Sequence, residues 1–265
     1  TSISLMERAE RARMTYALHH PDQRQGTERI VSMVAVKVFE TTMRGRKTKT
    51  VKLVAQSGMG LMADAHLFPC KPWEIQNRVF DILLRKNTRG EPAVMSVALS
   101  ELRAENLFAP VVGYIDALDL NHGHYHVFDN MSRHFVAQGE IIRCEKGQFV
   151  MFAPVIATND KFKTAVICQT LSDEDGLREF GTYTATVGMI DRERGFFSYT
   201  ITSEIKPTPE GETSLTGSAR LSLLGDGAAS LRPQQEIRIV MFLRRGKDGT
   251  KRNHVAKIIL TDNHG

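Results

Sequence analysis

The chain reads as a mainly β protein of three small five-stranded barrels in tandem, preceded by a short N-terminal helix. Three observations predict this. From Ile30 onward, short runs rich in β-branched and aromatic residues alternate with Gly, Asp, Asn and Lys/Arg turns, a pattern of small sandwiches and barrels. The fragment TVGMID (Thr186 to Asp191) echoes VVGYID (Val111 to Asp116), and each precedes a glycine and an aromatic strand, RGFFSYT from Arg194 and HGHYHVF from His122. A long strand, a polar hairpin and a final strand then recur three times, from Asn77, Gly147 and Gln235, and such ordered self-similarity marks repeated structural units.

Composition agrees with several small cores. A chain of 265 residues suits two or three of them. Hydrophobic content of 42% and charged content of 25% are those of an ordinary globular protein. No apolar run approaches the ~18 residues that span a bilayer, so no membrane partner is expected. Glu7 and Glu10 interleave with Arg8, Arg11 and Arg13, and no apolar stretch follows, which does not read as a signal peptide. A cytoplasmic location is the expectation. Cys70, Cys144 and Cys168 are odd in number and far apart, which predicts reduced thiols and neither a disulfide framework nor a zinc site.

Residues 1–26 form the helix and its linker. Ser4 with Glu7 makes a capping box, and Leu5, Ala9, Ala12 and Tyr16 share a face. The first barrel spans 27–100, with strands at Ile30 to Phe39, Thr48 to Gln56, Leu61 to Phe68, Arg78 to Arg85 and Ala93 to Leu99. Trp73, after Pro72, lies between the third and fourth strands. GMGLM (Gly58 to Met62) reads as a turn into a strand. The second barrel spans 108–170 and the third 182–262. The connectors SELRAENLF (from Ser100) and SDEDGLREF (from Ser172) read as short helical turns, and neither has the Gly/Ser/Pro content of a flexible linker.

The third unit resembles the cold-shock domain, a member of the OB-fold class. ATVGMIDRERGFFSY (Ala185 to Tyr199) is similar to that family's first two strands, SARLSLL (Ser218 to Leu224) lies where its third belongs, and SLRPQQEIRI (Ser230 to Ile239) matches its turn and fourth strand. In the second unit CEKGQFVMF (Cys144 to Phe152) is similar to the same turn, and RHFVA (Arg133 to Ala137) stands for the third strand. The first unit shares the strand plan. The resemblance implies binding of RNA or single-stranded DNA, with bases stacked on aromatics of the second and third strands. Phe196 keeps its aromatic. Met189 stands in the tryptophan position, Ser198 at the second phenylalanine, and Ser218, Arg220 and Leu221 at the third-strand positions. The second unit offers His124, His126, His134 and Phe135.

The net charge of +5 is mild, but basic residues cluster in two hairpins. Arg44, Arg46, Lys47, Lys49 and Lys52 share an acid-free stretch; Arg244, Arg245, Lys247, Lys251 and Arg252 surround Asp248. Such loops can contact phosphates, with Arg194 and Arg220 beside Phe196; they also blunt exposed hairpins against aggregation. His122, His124 and His126 alternate along an expected strand, so that all three face one way. Three imidazoles at that spacing can hold Zn²⁺, but no Asp or Cys ligand is obviously supplied nearby, and the preferred reading is a polar stacking face without metal. No catalytic motif or cofactor loop is present. The expectation is a non-enzymatic RNA- or single-strand-binding protein, a post-transcriptional regulator or RNA chaperone. The alternative is a scaffold whose barrel faces and N-terminal helix bind a protein partner.

Overall fold

A computed structural model describes residues 28–139, 142–158 and 163–261. The N-terminal helix expected at Ser4 to Leu18 lies outside the described residues. The rest is mainly β, in three five-stranded antiparallel sheets. The first contains β1 (Glu28–Met43), β2 (Arg46–Ala55), β3 (Gly60–Asp64), β4 (Val79–Lys86) and β5 (Pro92–Leu99); the second β6 (Val111–Asp119), β7 (His124–Asp129), β8 (His134–Gln138), β9 (Phe149–Val155) and β10 (Thr164–Thr170); the third β11 (Tyr183–Asp191), β12 (Phe196–Ile201), β13 (Thr216–Arg220), β14 (Glu236–Arg245) and β15 (Lys251–Leu260). Helices α1 (Ala104–Leu107) and α2 (Asp173–Phe180) lie between successive sheets.

Connectivity repeats. In the first sheet the strands lie in the order β3-β2-β1-β4-β5, and in the third β13-β12-β11-β14-β15. The second has the same core order and closes through β10, as β10-β8-β7-β6-β9. This is the Greek-key plan of an OB fold. The middle sheet is hydrogen-bonded into a closed barrel, and the first and third are five-stranded sheets of the same plan, which fits three OB-like units.

A bulge recurs at one place in each first strand. Register slips between Ala35 and Lys37, between Ile115 and Ala117, and between Val187 and Ile190. A bulge adds twist and bends the strand, which lets one long strand pair with both of its neighbours around a curved sheet. Alternation sets the cores. Met33, Ala35, Val51, Leu53, Phe80 and Ile82 point inward in the first sheet, while Val187, Phe197, Tyr199, Ile237 and Ile239 do so in the third.

Two differences from the sequence reading have local causes. The strand expected through Phe68 stops at Asp64, whose carboxylate accepts a hydrogen bond from the His66 amide at 3.2 Å and caps a 3₁₀ turn over Ala65–Leu67. The first hairpin is longer than expected because Thr41 reaches the hydroxyls of Thr48 and Thr50 at 3.1 and 2.8 Å. Its turn is Arg44-Gly45, both with positive φ (49° and 75°), the two-residue geometry that matches strand twist.

The described chain divides into two compact units, one comprising residues up to Pro110 with Ala137–Ile141 and Ala153–Val166, the other Val111–Val136, Ile142–Phe152 and Ile167 onward. In the first unit, Gly58 (φ 87°) turns the chain into β3 with its carbonyl accepting from the Thr158 amide at 2.9 Å. In the second unit the outer face of β6 and β7 packs on the outer face of β14 and β15. Val112, Tyr114, Phe128 and Phe149 form a single buried cluster with Phe180, Val240 and Phe242. Phe128 stacks on Phe242 with centroids 4.3 Å apart. Polar ties ring this cluster. Tyr114 Oη donates to the Ala256 carbonyl (3.2 Å), the Leu243 amide donates to Ser132 Oγ (2.8 Å), and Thr208 Oγ1 donates to the Met131 carbonyl (2.7 Å). Burial pushes the Tyr114 hydroxyl up to about 12, so it remains a neutral donor throughout the physiological range.

Candidate nucleic-acid interface

The face best equipped for a single strand is the outer surface of β11, β12 and β13. Inward Phe197 and Tyr199 are 1% exposed, and by strand alternation Phe196 and Ser198 point out. Phe196 pairs with Asp191 on one side and Arg220 on the other. The Arg220 guanidinium lies over its ring at 5.9 Å, within reach of a cation–π contact. The β11 bulge turns Met189 outward, 75% exposed, and is held by Ser198 Oγ, which accepts from the Met189 amide at 2.8 Å. Gly188 permits this, since a Cβ there would fall 2.5 Å from Ser198 Oγ. Arg194 in the turn is exposed, with Asp191 Oδ2 at 3.8 Å. Phe196, Arg220, Met189 and Arg194 therefore share one end of the sheet, while Leu221 turns inward as a buried core residue.

On the corresponding face of the first sheet, sequence reasoning named Lys52 but missed its neighbours Lys37, Phe39 and Met62. Beyond the β1 bulge, Val38 and Val51 belong to the core side, so Lys37, Phe39, Thr50 and Lys52 face out. Register places Lys37 beside Lys52 and Lys52 beside Met62, and Phe39 beside Thr50. Phe39 is half-buried and Met62 exposed. The position of the bulge decides which of these residues emerge, and the strand pattern around Val36 does not reveal it. Arg44, Arg46, Lys47 and Lys49 are all exposed around the β1–β2 turn.

The middle barrel departs most from expectation. Phe135 is fully buried, packed edge-on to Phe152 at 4.9 Å, and offers no ring face to a base. The reason is alternation: His134 points out, so its neighbour points in. His122 lies in the turn before β7, with Nδ1 at 2.8 Å from Asp119 Oδ2, so the three alternating histidines reduce to two on the strand, His124 and His126. His126 Nδ1 is 2.9 Å from His134 Nε2, and the rings stack at 5.1 Å. His134 stacks in turn on Phe128 at 4.8 Å. The outer face that would receive bases is thus occupied at Phe128 by Phe242, leaving a histidine rim. Among the described residues no group of three or more His, Cys, Asp or Glu side chains is placed to hold a metal ion.

The second basic hairpin is also partly committed. Arg244 Nη1 lies 3.1 Å from Asp116 Oδ2, and His254 Nε2 lies 3.0 Å from Asp116 Oδ1. Asp116 is the bulged residue of β6 and is 5% exposed. Burial pushes its carboxyl up, but the hydrogen bond and charge of His254 and the charges of Arg244 and Lys146 outweigh this and hold it below the usual range. Lys251 is ion-paired with half-buried Glu210, and Arg252 with Asp248 at 2.6 Å. Arg245 and Lys247 are exposed. Cys144 is buried, Cys70 and Cys168 are half-buried, and no disulfide joins them among the described residues. No described helix is long and apolar enough to cross a membrane.

Comparison with known proteins gives little more. No family model matches the chain, and no curated protein matches it. A solved structure described as Drosophila Unr CSD456 is similar over 89% of this chain and 98% of its own length, at 11% identity and a TM-score of 0.24. An overlay that loose supports no inference, and the reading below rests on strand topology and on the residues themselves.

Proposed function

We propose that the chain is a non-enzymatic binding protein for single-stranded nucleic acid, with its principal contact on the β11–β13 face. The observation that carries this is the exposed Phe196 with Arg220 over its ring, flanked by Met189 and Arg194. An exposed aromatic ring stacks on any base, worth about 1–3 kcal/mol each, while adjacent guanidiniums meet the phosphates on either side. The β1–β2 hairpin adds basic charge of the same use.

Fluorescence anisotropy of a labelled single-stranded RNA, titrated at two salt concentrations, tests the proposal. Phe196→Ala should weaken binding by about 1–3 kcal/mol with little change in salt dependence. Replacing Arg194 and Arg220 by Gln should lower the log–log salt slope by about 1.4, from about 0.7 per phosphate contact. Absence of binding by the wild type at low salt would sink the proposal. A protein-interaction scaffold is the second reading, favoured by the burial of Phe128 against Phe242, where one barrel face already serves protein packing.

A further inference from the structure

We infer that Trp73, on the turn between β3 and β4, is a separate stacking site for an unpaired nucleobase, with Lys71 as its phosphate or cation partner. The inference rests on the nucleic-acid reading above but concerns a different part of the fold. Trp73 is the only tryptophan in the chain and is 74% exposed. Large aromatics normally bury most of their surface, so an exposed one on an anchored turn calls for a ligand.

The turn is anchored. Pro72–Glu74 is a 3₁₀ turn closed by the Glu74 amide on the Lys71 carbonyl (2.8 Å), and the Lys71 amide donates to Glu74 Oε2 (2.9 Å). Ile75, two residues after Trp73, is fully buried in the first core. The Asn77 amide donates to the Ala35 carbonyl (2.7 Å) and the Ala35 amide to the Arg78 carbonyl (2.9 Å), which fastens the end of the turn to β1. The backbone around the indole is therefore anchored before any ligand arrives, and a turn that is already ordered loses little backbone freedom on binding.

The surroundings favour a nucleic acid over a protein. Protein-binding aromatic anchors sit in dry, charge-depleted centres of interfaces. Here the ring stands in a turn with Lys71 and Glu74, both exposed, and the Lys71 ammonium lies over the indole at 5.1 Å. An aromatic plane with a cation against it is the arrangement that sequence-tolerant single-strand sites use.

Because the chain has one tryptophan, its emission reports on this ring alone. The full chain is titrated with a short oligouridylate, with an abasic oligomer of the same length, and with a polyglutamate peptide, while anisotropy of labelled RNA follows binding in parallel. Oligouridylate should quench the emission and the other two should not. Trp73→Ala should weaken RNA binding roughly 5- to 150-fold, Trp73→Phe should retain most of it, and unchanged far-ultraviolet circular dichroism should show the fold intact. RNA bound with Trp73 emission unchanged would overturn this inference and leave the β11–β13 proposal standing, whereas no RNA binding at all would remove both. Quenching by polyglutamate alone would make the turn a protein-docking element and overturn the inference.

Discussion

Replacing Asp116 by Asn should destabilise the chain at neutral pH, and the size of the effect follows from its surroundings. Asp116 accepts from His254 and Arg244 while almost wholly buried. Breaking a fully buried ion pair costs about 3–5 kcal/mol. Here the partners' side chains are 34% and 48% exposed and rehydrate when released, which reduces the expected loss to about 2 kcal/mol. At about 2–4 °C per kcal/mol for a body of this size, Tm should fall by about 4–8 °C. The pH dependence has a definite sign. The folded carboxyl is held below its ordinary value, so its contribution is fully present above the unfolded value of about 3.9 and is lost as pH falls through the depressed folded value. Scanning calorimetry from pH 7 down to about 2.5 should show wild type and variant separated at neutral pH and converging in acid. A variant melting within about 1 °C of wild type at pH 7 would refute the reasoning, as would a gap that persists undiminished in acid.

Two glycines test the packing of the second unit. A Cβ on Gly113 would fall 2.6 Å from both Phe152 and Val127, so Gly113→Ala should cost about 1–3 kcal/mol in urea unfolding by overpacking the barrel interior. A Cβ on Gly176 would fall 2.2 Å from Phe149. Gly176→Ala should therefore destabilise even though Ala gains about 1 kcal/mol in helix propensity, and a stabilised variant would show that α2 packs against Phe149 more loosely than these contacts require.

The repeated plan was legible because it rests on local signals. The echo of VVGYID in TVGMID corresponds to two bulged first strands, β6 and β11, and the glycine-aromatic pieces after them are β7 and β12 or lead into them. Strand alternation was legible in principle at Phe135, since His134 and Phe135 cannot share a face; treating both as ligands overlooked the period of two. Partners distant in sequence were not legible. Arg244 reads as part of a basic hairpin, and nothing near it or near His254 indicates that Asp116 on another strand system is waiting for both. The same holds for Phe128, an aromatic at a binding-face position that Phe242 covers.

These commitments make the two basic hairpins unequal, which a charge-reversal pair can expose. In the β1–β2 hairpin, Arg46, Lys47 and Lys49 are exposed, and the ion pair of Lys47 with Glu40 at 3.9 Å is solvent-facing on both sides and worth little. The threonine contacts Thr41–Thr48 and Thr41–Thr50 that zip the hairpin do not involve these side chains. Reversing all three to Glu should leave stability within about 0.5 kcal/mol, weaken RNA binding, and flatten the log–log salt slope by about 2, from about 0.7 per phosphate. Reversing Arg244, Arg245 and Lys251 is different in kind. Glu at 244 would face buried Asp116, and Glu at 251 would face half-buried Glu210, so this variant should lose about 2 kcal/mol or more and melt well below wild type. Its loss of binding then reflects a loosened second unit as well as missing phosphate contacts, and only the first hairpin reports charge alone. If the second variant melts with wild type, the Asp116 and Glu210 pairs carry no weight. If the first leaves the salt slope unchanged, the β1–β2 hairpin makes no phosphate contact, and its charge serves only to keep an exposed hairpin soluble.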